Sequence, residues 1–132
     1  MDQGPLVTEQ IAAADRFLTQ LREYVPVQAA FWGKDSEDGR WDLYVASDQI
    51  DDKNFDLVYG EVIRISGVMK DPNFDPFQVK LIKFCDPMAQ AAMDIHRRYP
   101  GRAVARFNGG AFGRSGVIDV YIYPSPAAVG GT

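Results

Sequence analysis

A chain of 132 residues with 46% hydrophobic and 24% charged residues fits one globular domain, long enough to bury about two thirds of the surface its unfolded form would expose. A net charge of −4 argues against indiscriminate binding to nucleic acid or anionic lipid, and no apolar run approaches the ~18 residues of a membrane-spanning helix. Cys85 is the only cysteine, which excludes an intrachain disulfide, and MDQGPLVTEQ carries neither region of a signal peptide, so a cytoplasmic location is expected.

Thr8-Glu9 opens a helical pattern in which Ile11, Ala14, Phe17, Leu18, Leu21 and Val25 share one face, and Pro26 stops it. VQAAFWGK and RWDLYVAS then alternate as two strands around the turn composition DSEDG. Pairing Phe31 with Trp41, Ala29 with Leu43 and Val27 with Val45 puts apolar partners together and sets the expected hairpin register. After SDQIDD a second helix of roughly 15 residues is striped by Phe55, Val58, Tyr59, Val62 and Ile65, with Gly60 expected to admit close packing. KDPNFDP reads as a loop and FQVKLIKF as a strand.

Asp86 and Pro87 then supply the N-cap and first residue of a third helix, striped by Met88, Ala91, Ala92, Ile95 and Tyr99. His96, Arg97 and Arg98 fall in its last turn, where positive charge suits the helix dipole, and Pro100-Gly101 ends it. RAVARF and VIDVYIY follow as strands joined by a glycine-rich loop, and PSPAAVGGT is a low-complexity tail.

The order α-β-β-α-β-α-β-β predicts a single two-layer α+β domain over residues 1–132. Its ordered core is expected from about 6 to 124, with flexible tails at 1–5 and 125–132. The sheet should be mixed, largely antiparallel, and of about five strands. Three helices suffice to cover one face of such a sheet, so they are expected mainly on one side. The opposite face, left bare, would present Trp32, Tyr44, Val104, Tyr121 and Tyr123. An aromatic surface of that kind is suited to docking, so these five are the candidate interface residues of a homodimer or of a complex with a protein partner.

The chemistry-bearing residues are few. One histidine and one cysteine cannot make a structural zinc site. Asp71, Asn73 and Asp75 alternate as at the start of a calcium loop, but Pro76 and Ile82 stand where that loop needs glycine and glutamate. Asp42, with Gln78 and Lys80, offers a single carboxylate, too few for magnesium. No metal or cofactor is expected. His96 is expected at the surface of a helix end, and Cys85 as a half-buried packing residue.

A second reading starts from charge. Residues 95–118 hold five arginines and no carboxylate, whereas the first 94 residues hold 17 acids against 9 lysines and arginines. Arg98, Arg102, Arg106 and Arg114, with Gly110 and Gly113 of the loop 109–116, would hold a small anionic or phosphorylated ligand. Phosphate loops of the dinucleotide and P-loop kinds are excluded, because a strand follows these glycines where those sites need a helix. Pairing Ala103 with Ile122 and Ala105 with Val120 sets Arg106 opposite Asp119, an arrangement that favours a structural role for that arginine. The sequence is therefore read as a non-catalytic interaction module, with anion binding, or an enzyme acting on an anion, as the alternative.

Overall fold

The computed structural model describes residues 8–35, 39–98, 103–106 and 117–123, with the side chains of 103–106 and 117–119 excepted. In chain order the elements are α1 (Thr8–Leu21), β1 (Ala29–Asp35), β2 (Trp41–Ser47), α2 (Phe55–Met69), a 3-10 turn (Pro76–Gln78), β3 (Val79–Lys83), α3 (Pro87–Arg98), β4 (Ala103–Arg106) and β5 (Val117–Ile122). The strands lie side by side in the order β3-β2-β1-β5-β4. Only β2 and β3 run parallel, with α2 as their crossover; the remaining neighbours are antiparallel. The chain is thus an α+β protein with a mixed sheet.

α1 buries Ala13, Ala14, Phe17, Leu18 and Leu21. It ends one turn sooner than its apolar spacing suggests, because the chain must bend at Pro26 into β1. Val25 still donates to the Leu21 carbonyl at 3.0 Å and is buried beyond the helix end. The β1–β2 hairpin closes where Asp35 N–H donates to the Arg40 carbonyl at 2.9 Å. Gly39 occupies the left-handed region at φ 69°, which a residue with a Cβ adopts at a cost.

This turn sets a register different from the expected one. Phe31 stands opposite Tyr44, Trp32 opposite Leu43 and Ala30 opposite Val45. The slip is three residues, and an odd slip exchanges the faces of one strand relative to the other. Trp32 therefore shares a face with Leu43 and Val45, while Phe31 shares the other with Tyr44, their rings stacked 5.3 Å apart.

The expectation of helices on one face is overturned with it. On one side of the sheet α1 and α2 cover Ala30, Trp32, Trp41, Leu43, Val45, Val79 and Leu81. On the other, α3 lays Met88, Ala89 and Ala92 on Ala29, Phe31, Tyr44, Ala46, Val120 and Ile122. Every residue of β2 is buried, as a central strand between two helical layers requires.

α3 starts as its sequence directs: Met88 N–H donates to the Asp86 carboxylate at 2.8 Å, and Pro87 needs no partner. Its most buried residues are Met88, Ala89, Ala92 and His96, while Ala91 and Ile95 of the expected stripe are only partly buried against the same cluster. With small apolar residues all round its first turns, the apolar pattern alone does not fix the rotation of this helix.

α2 is held at both ends. At its start, Asp51 and Asn54 bond reciprocally, each side-chain oxygen accepting from the other's backbone N–H at 3.0 and 2.8 Å. At its end Lys70 takes the left-handed conformation, φ 52°, and its N–H caps the Ser66 carbonyl. The following loop ties back to α1 through the Arg16–Asp71 ion pair and the stacking of Phe74 on Phe17 at 4.5 Å. The Tyr59 hydroxyl, donating to the Pro76 carbonyl at 3.0 Å, completes the anchorage.

Candidate functional site

Three of the four aromatic residues expected on an open sheet face, Trp32, Tyr44 and Tyr123, are interior. Trp32 and Tyr123 are each 2% exposed and lie beneath α1. Trp32 Nε1 donates to the Tyr123 hydroxyl at 2.9 Å, which in turn donates to the Ile11 carbonyl of α1 at 2.8 Å. The polar ends of both rings are thus engaged within the domain. Tyr44 is buried on the opposite face, under α3. Tyr121 is half-buried, edge-on to Tyr123 at 5.3 Å. Val104 pairs with Tyr121 in the β4–β5 register, and its side chain lies outside the described residues. Trp32, Tyr44, Tyr121 and Tyr123 do not form one exposed patch, because helices cover both faces.

The arginine cluster divides. Arg97 and Arg98 both pair with Asp94 on their own helix, at 2.9 and 3.3 Å. That carboxylate sits one residue before the acid-free run, and helical spacing folds it back onto the run's first two arginines. The register sets Arg106 opposite Asp119, the expected pairing. Arg102, Arg114, Gly110, Gly113 and the rest of the glycine loop lie outside the described residues.

Two single residues also depart from expectation. His96 is not a surface group: it is 7% exposed, on the inward face of α3, and burial lowers its pKa from the ordinary value. Neither ring nitrogen has a hydrogen-bond partner among the described residues. Cys85 is exposed, not half-buried, in the turn that leads into α3. Its neighbour Asp86, engaged in capping the helix, fixes that turn.

The parallel β2–β3 pairing brings Asp42 and Lys80 onto neighbouring strands, with Gln78 in the 3-10 turn just before β3, since Tyr44 stands beside Lys80 and Leu43 beside Val79. Gln78 Nε2 is spent on the Trp41 carbonyl at 3.1 Å, and Asp42 lies 3.6 Å from Arg40. Among the described residues no group of three histidines, cysteines or carboxylates could hold a metal. Asp71 and Asp75 serve their own loop, each accepting from a backbone N–H two residues on.

Most of the exposed large apolar side chains among the described residues belong to α2. Of six exposed large hydrophobic residues among those described, four are on this helix: Phe55, Leu57, Ile63 and Val68. Its fully buried residues are Val58, Val62 and Ile65, with Tyr59 and Met69 partly buried against the same cluster. Leu57 is 67% exposed and Val68 62%, values at which neither contributes to the core. Between them, on the same stripe, Arg64 reaches back one turn to Glu61 and holds that carboxyl below the usual glutamate range, chiefly through their hydrogen bonds.

Gly60 and Gly67 lie on this outward side as well. A Cβ added at either would meet nothing within 4 Å, so the close packing expected at Gly60 is absent among the described residues. The sequence signal for this surface was present: nine of the 15 residues of FDLVYGEVIRISGVM are large and apolar, more than one buried stripe uses.

No described helix is long and apolar enough to cross a membrane. No protein-family model, no curated protein and no solved structure significantly matches the chain.

Proposed function

We propose that this chain is a non-catalytic interaction domain that docks through the outer face of α2. The observation that carries the reading is the concentration of exposed apolar side chains on that one helix, in a fold that buries its aromatic sheet residues on both sides. Fully burying one leucine or valine is worth about 1.5–3 kcal/mol. Leu57 and Val68, well separated along a helix anchored at both ends, are pre-positioned to deliver that gain with little ordering cost. The Glu61–Arg64 pair between them supplies polar groups that give such a contact direction without leaving a lone charge at its centre.

The test is photo-crosslinking in cells. A photoreactive phenylalanine analogue replaces Leu57, Val68 or, as a control on the exposed side of α1, Ala12. A discrete adduct from positions 57 and 68, and none from 12, supports docking through α2. Absence of an adduct at both helix positions, or the same adduct from Ala12, overturns it.

A further inference from the structure

Resting on that reading of α2 as the docking face, the geometry points to a second copy of this chain as the occupant, its α2 packed antiparallel across a two-fold axis. Leu57, Glu61, Arg64 and Val68 follow one another at intervals of four, three and four residues, which keeps them on one stripe of the helix. The intervals read the same from either end, with the midpoint between Val62 and Ile63.

Two such stripes laid antiparallel therefore bring Leu57 against the partner's Val68 and Glu61 against the partner's Arg64, each contact occurring twice. This is the self-complementarity an isologous interface demands. Within one chain, Arg64 bonds its own Glu61. In the pair, two carboxylates and two guanidinium groups alternate around the axis, so every charge faces an opposite one. A helix with two glutamates or two arginines at these positions would repel its copy.

The glycines fit the same geometry. Gly60 and Gly67 flank Arg64 on the outward side, and the space over both is open. They lower the ridge beside the stripe, so a partner helix can approach there. Fifteen residues of helix make a face about 22 Å long and about 10 Å wide, about 220 Å² per copy against the ~800 Å² per partner of a standard interface, which places the contact among weak, transient ones. The expected dimer is weak, with a dissociation constant in the micromolar range.

Charge reversal with full-length chain tests the assignment by sedimentation equilibrium, from about 10 to about 500 µM. Wild type is expected to shift from monomer to dimer across that range. Glu61→Arg and Arg64→Glu should each weaken the dimer at least about tenfold, by setting like charges across the axis. An equimolar mixture of the two should restore it as a heterodimer, since every central contact is again between opposite charges. Leu57→Glu, at a position 67% exposed, gives a second disruption that does not rely on the central charges. A wild type that stays monomeric throughout, variants that dimerise as wild type does, or a mixture that stays monomeric would each overturn the second copy as occupant. Adducts of other mass from positions 57 and 68, with a monomeric wild type, would overturn the self-association and leave the α2 docking face standing. Failure of both experiments removes the docking face itself.

Discussion

His96 and Tyr123 show how single polar groups are handled inside this domain, one without a hydrogen-bond partner among the described residues and the other hydrogen-bonded to both Trp32 and Ile11. Burial alone lowers the His96 pKa below its ordinary 6.5, so the ring is neutral in the fold while the unfolded chain takes up a proton first as pH falls. Its contribution is therefore fully present above about pH 6.5 and is lost as pH drops through the interval down to the lowered folded value. Urea unfolding at pH 7.5 and pH 5.5 should show wild type weakening at the lower pH. His96→Leu, which removes the titration and two buried nitrogens without partners among the described residues, should be at least as stable and lose that part of the pH dependence. An unchanged pH dependence in His96→Leu would contradict the assignment. Tyr123→Phe makes the opposite test. It strips the acceptor from buried Trp32 Nε1, and should cost about 1–3 kcal/mol in the same assay. Neither role was legible in the sequence. The last-turn position of His96 suggests a surface group, and only the rotation of α3 turns it inward. Tyr123 reads as a face residue until a helix is known to lie over it.

Elements were more legible, because their ends are written in local chemistry. Asp86-Pro87 announces the start of α3, Pro26 the stop after α1, and Gly39 the hairpin turn; Asp86 acts through its carboxylate, the prolines and Gly39 through their own backbone geometry. Asp86→Ala, which removes the carboxylate that accepts from Met88 N–H, should cost about 0.5–2 kcal/mol by chemical denaturation. A loss no greater than a few tenths of a kcal/mol would mean that the cap is dispensable. Gly60 predicts the reverse sign. With open space over it, Gly60→Ala should stabilise the monomer by about 0.5–1 kcal/mol in dilute solution, through helix propensity alone. A destabilised monomer would show that the position is packed. The rotation of α2 was partly legible, since Val58, Val62 and Ile65 do face inward. The apolar excess on its other side is the signal of the exposed surface, and a single-stripe reading absorbs that excess into the core.

At the scale of the whole molecule the sheet is a shared wall between two apolar clusters, and this was the least legible level. Alternation along β1 and β2 predicts one buried and one open face. The contiguous Ala29-Ala30-Phe31-Trp32 run, apolar on both sides, is instead the mark of a strand covered twice. Hairpin register depends on the turn closure at Asp35 and Arg40, which composition does not specify, and the slip of three residues followed from that. Because neighbouring residues of β1 and β2 feed opposite clusters, neither cluster can come apart without breaking the strands of the other. Both tryptophans lie in the α1–α2 cluster, so their fluorescence reports that side while far-ultraviolet circular dichroism reports all elements. The two unfolding curves should coincide; a fluorescence transition displaced from the other would show that the sides unfold separately.

Among the described residues, the outer face of α2 holds most of the exposed large apolar side chains, and it is the contact surface proposed above. Backbone amide shifts recorded by NMR, as the concentration is raised from tens of micromolar toward the millimolar range, follow this most directly. Shifts that grow with concentration and centre on Leu57, Gly60, Glu61, Arg64, Gly67 and Val68 are predicted. Shifts centred on the sheet, for example at Tyr121, or a spectrum independent of concentration, would contradict a dimer built on α2.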